Sequence, residues 1–133
     1  PWATQALADF GAMVWKVEKP EAGDDTRAWG PPWLADGEGR ETRESAYYLS
    51  ANRGKHSLAI DLAQADGQRL VRELARRADV LVENFKVGGL ARYGLGWADL
   101  EPLNPRLVYC SISAYGQDGP EAEGPGYDAM IQG

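Results

Sequence analysis

The sequence predicts an α/β fold with a mainly parallel sheet and flanking helices. Helical and extended patterns alternate along the chain, the arrangement that produces parallel strands joined by right-handed crossovers. The run Val80-Leu81-Val82 is continuously apolar, the habit of a strand covered on both faces. Between Asp66 and Arg77, Leu70, Val71, Leu74 and Ala75 share one helical face, while Arg69, Glu73, Arg76 and Arg77 lie largely away from it.

The first element is a short helix over TQALADF (residues 4–10), where Ala6, Leu7 and Phe10 line one side and Gly11 offers a cheap left-handed stop. AMVWKVE (12–18) is a β-rich run, and Leu58, Ile60 and Leu62 alternate as a strand requires. The helix over 66–77 follows, with Glu73 and Arg77 spaced for an i,i+4 ion pair. After the strand at 80–82, WADLEPL (97–103) reads as a short helix stopped before Pro105, and RLVYCSIS (106–113) as a fourth strand. From Lys19 to Tyr47 the pattern gives way to Gly, Pro and charge. Trp29 and Trp33 argue that this long segment is an ordered, functional loop, because disordered chain is poor in aromatics.

With 133 residues, 44% of them hydrophobic and 26% charged, the composition fits one domain with one core. No apolar run approaches the ~20 residues of a membrane span, and no basic-then-apolar leader opens the chain, so a cytoplasmic protein is expected. A net charge of −6 argues against nucleic acid as a partner, which needs a basic face. The single Cys110 has no disulfide partner and no metal-site companions.

In an open parallel sheet, ligands lie outside the carboxyl ends of the strands. Lys16 to Lys19, Asp61-Leu62 and Glu83-Asn84-Phe85 occupy those ends and form a candidate rim. The cationic turn Asn52-Arg53-Gly54-Lys55-His56 reads first as a solvated loop entering a strand. Gly94 and Gly96 follow a helical segment and lack the third glycine of a dinucleotide fingerprint. His56 reads as a turn residue, Cys110 as packing, and the adjacent Asp24 and Asp25 as solvated carboxylates rather than a metal site. Physical reasoning alone ends at an α/β domain with an anionic ligand.

The motifs PWATQALADFGAMVWKVEKPEAGDDTR, NRGKHSLAIDL, ADVLVENFKVGGLARYGLGWADL and NPRLVYCSISAYGQDGP occur in order over nearly the whole chain. Together they resemble the family III CoA-transferases of the formyl-CoA and carnitine type, which share a scaffold with the α-methylacyl-CoA racemases. The resemblance implies the large, doubly wound domain of a two-domain enzyme that forms an interlocked homodimer. It implies that Ile60 and Leu62 flank the adenine of CoA, that Asn84 and Phe85 turn beneath the nucleotide, and that Lys19 and Arg92 meet phosphates, with Lys55 a further candidate. CoA and acyl-CoA would be substrates alongside a small carboxylic acid, with no tightly bound cofactor, metal, nucleic acid or membrane.

Catalysis in such enzymes runs through an aspartate that forms anhydride and CoA-thioester intermediates, in a GD segment downstream of the GYD motif; Asp128 is not that residue. Residues 1–133 are therefore expected to be a partial N-terminal CoA-binding domain, without the first strand or the nucleophile and inactive alone. A non-catalytic CoA-binding module and an interaction remnant are the alternatives to a transferase fragment. Tyr127 stands where the racemases carry histidine. Its reference pKa near 10 makes it a poor base for α-proton transfer, which favours transferase over racemase and leaves Tyr127 as a packing residue or part of the acyl-site lining.

Overall fold

The computed structural model describes residues 1–127 and 132. These form two compact units, Pro1–Asp61 and Leu62–Gly133. The class is α/β, and two of the three two-stranded sheets among the described residues are parallel.

In the first unit, α1 (Trp2–Asp9) ends in a Schellman motif. The Gly11 N–H reaches the Ala8 carbonyl (3.0 Å), the Ala12 N–H reaches that of Leu7 (3.0 Å), and Gly11 takes φ +94°. The chain then enters β1 (Val14–Glu18), which pairs in parallel with β4 (Lys55–Ala59) in the register Val14↔Lys55 to Glu18↔Ala59. Leu58, Ile60 and Leu62 are half-buried and Ala59 and Asp61 exposed, as the alternation predicts. The strand itself starts earlier and ends at Ala59, however, so Ile60 and Leu62 lie beyond it. Lys55 and His56 are its first two residues rather than part of the turn, because parallel pairing with Val14 and Trp15 is a backbone matter and tolerates polar side chains.

The segment expected to be an ordered loop carries structure of its own. A 3₁₀ turn (Asp25–Ala28) leads to an antiparallel pair, β2 (Trp33–Ala35) with β3 (Glu41–Ser45), and then to α2 (Ala46–Ser50). Ser45 caps α2 by accepting from the Tyr48 N–H (3.0 Å) and donates its hydroxyl to the Thr26 carbonyl (2.6 Å), while Trp29 packs on Tyr47 with ring centroids 5.1 Å apart.

The second unit is built on α3 (Ala65–Arg77), the parallel pair β5 (Val80–Glu83) and β6 (Val108–Ser111), and α4 (Trp97–Leu100). Its core gathers Ala75, Leu90, Leu95, Leu100 and Leu107, with Leu62, Val71, Leu81 and Tyr109 packed around them. Leu95 and Leu100 are fully buried, each contributing roughly 2 kcal/mol by area.

Five expectations fail locally. The α1 face read from Ala6, Leu7 and Phe10 is exposed, Phe10 lying just past the helix end, and Gln5 is the residue that α1 buries. Leu70 is exposed, since the buried face of α3 runs through Gly67, Val71 and Ala75. Glu73 pairs with Arg76 at i,i+3 rather than with Arg77. Val80 stays exposed and the rest of β5 is half-buried, because a two-stranded sheet covers less of each strand than a wide one. Cys110 points outward, on the exposed parity of β6.

Candidate functional site

The densest polar construction in the first unit lies at the carboxyl end of β1. Val14, Lys16 and Glu18 share the inner parity of the strand, so its last residue brings a carboxylate into the interior, 6% exposed. Glu18 accepts from Arg27 Nε (2.9 Å) and Nη2 (3.3 Å), from Tyr48 Oη (3.0 Å), from the Asp24 N–H (2.8 Å) and from the Ser57 hydroxyl. Arg27 also donates Nη1 to both oxygens of Glu44 (3.0 and 3.2 Å) and Nη2 to Tyr48 Oη (2.6 Å), lying 3.9 Å over the Tyr48 ring. Burial disfavours the charged form of Glu18, but the bonds from Arg27, Asp24, Ser57 and Tyr48 outweigh it and hold the carboxyl at about 2. The Tyr48 hydroxyl, desolvated and facing that carboxylate, is pushed up to about 12.

Asp24 and Asp25 are both engaged. Asp24 caps the 3₁₀ turn by accepting from the Thr26 N–H (2.7 Å) and Oγ1 (2.6 Å), and it pairs with Lys16. Asp25 pairs with Lys19 Nζ at 3.0 Å, both side chains being largely exposed. Among the described residues, no group of three or more His, Cys, Asp or Glu side chains is placed to hold a metal ion.

Beside this network opens a cleft of about 760 Å³, lined by Glu18, Lys19, Arg27, Trp33, Arg43 and Ala59 among others. Lys19 thus stands at its edge. Ile60 follows the last residue of β4, with its N–H on the Glu18 carbonyl (3.0 Å). The cationic turn faces elsewhere. Arg53 clamps Asp9 of α1 (2.6 and 3.1 Å), and Lys55 donates to the carbonyls of Ala51 (2.7 Å) and Pro1 (3.0 Å) and to Asn52 Oδ1 (3.1 Å). Burial, with repulsion from Lys16, lowers the Lys55 ammonium to about 8. The cations of NRGKH tie α1 and the turn together ahead of β4.

In the second unit, Leu62 leans on the apolar core. Asn84 and Phe85 are exposed just beyond β5, and the Phe85 N–H is held by Glu83 Oε2 (2.7 Å). Arg92 lies in the 3₁₀ turn Ala91–Tyr93, exposed, its guanidinium 4.9 Å over the Tyr93 ring. A second cleft of about 550 Å³ follows the ends of β5 and β6, lined by Glu83, Gly88, Gly89, Trp97, Tyr109 and Gln117 among others. Gly94 acts locally. At φ +63° it admits Arg72, which donates to the Tyr93 (3.0 Å) and Gly94 (3.1 Å) carbonyls. Tyr127 is 72% exposed among the described residues. Asp128 and the helix start expected after Tyr127 lie outside the described residues.

Sequence reasoning included Glu18 in the rim of residues 16–19 without its buried role, and missed Arg27 and Tyr48. The strand pattern gave no signal for them, since in VWKVE the apolar Trp15 and Val17 occupy the parity opposite Glu18.

Comparison with known proteins agrees with this architecture. The chain is 56% identical, over all 133 residues, to a succinate–glutarate CoA-transferase of Agrobacterium fabrum, of which it covers 33%. It is 48% identical over 130 residues to the human succinyl-CoA:glutarate CoA-transferase, covering 98% of this chain and 28% of that protein. The crystal structure of a CaiB/BaiF family protein from Brucella suis superposes with a TM-score of 0.90 at 52% identity, covering 99% of this chain and 34% of that one. The chain spans about a third of the length of these relatives. With the parallel pairs, the order of the motifs and a profile match running from residue 1 to residue 133, the chain belongs to CoA-transferase family III.

Proposed function

We propose that the protein carrying this chain transfers coenzyme A from an acyl-CoA thioester to a small carboxylic acid, with short dicarboxylates such as succinate and glutarate as the acyl groups exchanged. The observation that carries this reading is the 56% identity, over the whole chain, to a succinate–glutarate CoA-transferase. Residues 1–133 contribute to the CoA-binding large domain. The nucleophile is an aspartate of the GD segment that such enzymes carry downstream of the GYD motif. Its carboxylate attacks the thioester carbonyl and expels the CoA thiolate, leaving a mixed anhydride. The thiolate then attacks the aspartyl carbonyl, releasing the donor acid and leaving an aspartyl-CoA thioester. The acceptor carboxylate attacks that thioester and expels the thiolate, forming a second mixed anhydride, and the thiolate attacks its acceptor carbonyl to give the product acyl-CoA and the free aspartate.

Within the first unit, Lys19 offers an ammonium to phosphate and Ile60 an aliphatic face to adenine. Both stand at the carboxyl end of a parallel pair, where α/β proteins bind ligands. Within the second, Leu62, Asn84 and Phe85 border the nucleotide and Arg92 meets phosphate, an exposed guanidinium being suited to charge-assisted bonds. CoA is substrate rather than resident cofactor, and a cytoplasmic homodimer belongs to the same proposal.

The test is to incubate the full-length protein with succinyl-CoA and glutarate and follow glutaryl-CoA by mass spectrometry. Stoichiometric acyl exchange is expected. Failure to exchange with any dicarboxylate, together with deuterium entering the α-position of a 2-methylacyl-CoA in heavy water, would replace transfer by racemisation.

A further inference from the structure

Glu18 and Arg27 join the two residues of the first unit that the CoA reading uses. Glu18 is covalently next to Lys19, and its carbonyl holds the Ile60 N–H at 3.0 Å. Its carboxylate is fixed by Arg27, which is itself anchored to Glu44 on β3 and to Tyr48 on α2. The segment that follows is held by Glu18 and by the Lys19 main chain: the Asp24 N–H bonds Glu18 Oε2 (2.8 Å), and the Gly23 N–H bonds the Lys19 carbonyl (3.0 Å). Asp25, the partner of Lys19, opens the 3₁₀ turn that contains Arg27. The direction of Lys19 and the height of Ile60 therefore both depend on one ion pair, its carboxylate buried and its guanidinium half-buried. A lysine cannot reproduce this, since a single ammonium lacks the planar fork that reaches Glu18, Glu44 and Tyr48 together.

We infer that Arg27, acting through Glu18, is a positioning residue for CoA, setting Lys19 and Ile60 in their binding orientation without touching the ligand's reacting atoms. This rests on the CoA-binding reading given above. Its signature is a loss confined to nucleotide binding, because the thioester and the nucleophile are served by other residues.

The experiment uses the full-length enzyme with Arg27→Lys, Glu18→Gln, Lys19→Ala and the double variant Arg27→Lys/Lys19→Ala. CoA affinity is read by calorimetry, and kcat and KM by acyl exchange. Arg27→Lys is expected to raise KM for acyl-CoA and Kd for CoA about tenfold, with kcat within about twofold and the circular-dichroism spectrum unchanged. Glu18→Gln should do the same. In the double variant the two losses should be markedly less than multiplicative, because Lys19 is already misplaced. Multiplicative losses, or equal falls of kcat and kcat/KM, would overturn the positioning role. If Lys19→Ala leaves CoA affinity unchanged, the CoA assignment of Lys19 fails instead. If Lys19→Ala weakens binding and Arg27→Lys does not, that assignment stands and the positioning role is refuted. Should Arg27→Lys fail to fold, Glu18→Gln, which keeps the shape and removes the charge, supplies the same readout.

Discussion

Asn104 closes the end of α3 from 26 residues away, donating Nδ2 to the carbonyls of Ala78 (2.8 Å) and Ala75 (3.0 Å). Those carbonyls have no intrahelical donor, so the side chain does what a helix terminus otherwise asks of water or a glycine cap. Its Oδ1 also accepts from the Arg106 N–H (3.2 Å), fixing the turn into β6, where the Leu107 N–H returns to the Asn104 main-chain carbonyl (3.0 Å).

Replacing Asn104 by Ala is expected to cost about 1–3 kcal/mol, the scale for leaving partly buried acceptors unpaired. Asn104→Asp should be no better, because a carboxylate would face two carbonyl oxygens. Urea unfolding of both variants checks this, and wild-type stability in either would refute the capping role.

Glu18 gives the chain a specific acid sensitivity. Its carboxyl ordinarily titrates at 4.5 and is held at about 2 in the folded chain, so the stabilisation is fully present above about 4.5 and is lost as pH falls through about 2. The difference corresponds to on the order of 3 kcal/mol. Asp24, lowered to about 2 against the desolvation it suffers by its bonds to Lys16 and Thr26, adds a loss over the same window. Denaturant titrations between pH 6 and pH 2.5 should show falling stability, with a shallower slope for Glu18→Gln. An unchanged slope would mean that the carboxylate is not held as described.

Gly94 and Arg72 are expected to couple. Gly94→Ala puts a side chain at φ +63° and a methyl group against the Arg72 guanidinium, which should cost about 2 kcal/mol in all. Arg72→Ala removes two bonds to carbonyls and should cost about 1 kcal/mol. The double variant should be less destabilised than the sum, because the steric part of the first change is gone. Strict additivity by thermal melting would show that the methyl group never met the guanidinium.

The fold class, the helix over α3 and the positions of three of the four expected strands could be read from the sequence, because each rests on local periodicity; the fourth, read over 58–62, lies at Lys55–Ala59. The alternation of Leu58, Ile60 and Leu62 was legible for the same reason. The start of β4 was not, since its first residues are placed by backbone pairing with Val14 and Trp15 rather than by apolar pattern. Glu18 was hidden by its own strand: in VWKVE the apolar Trp15 and Val17 are the more exposed residues, while Lys16 and Glu18 turn inward to partners eight and nine residues further along. Periodicity reports hydrophobic faces and is blind to an interior built from ion pairs. The CoA residues came from motif resemblance, and binding experiments test their roles.

Arg92 supplies the most direct of these. Its guanidinium is exposed, stacked over Tyr93 and free of any carboxylate partner among the ion pairs of the described residues, so its charge is available to a phosphate without breaking an existing bond. Stacking fixes the plane of the group and lowers the entropy lost on binding. Arg92→Ala in the full-length protein should weaken CoA by about 1.5–3 kcal/mol, the range for hydrogen bonds to a charged group. Arg92→Lys should recover only part of this, since the ammonium keeps the charge and loses the fork. The loss should shrink as salt is raised from 50 to 500 mM, because an exposed cation is screened over about 4 to 14 Å in that range. Calorimetry at two ionic strengths decides it: unchanged affinity at low salt in Arg92→Ala would remove this residue from the CoA site.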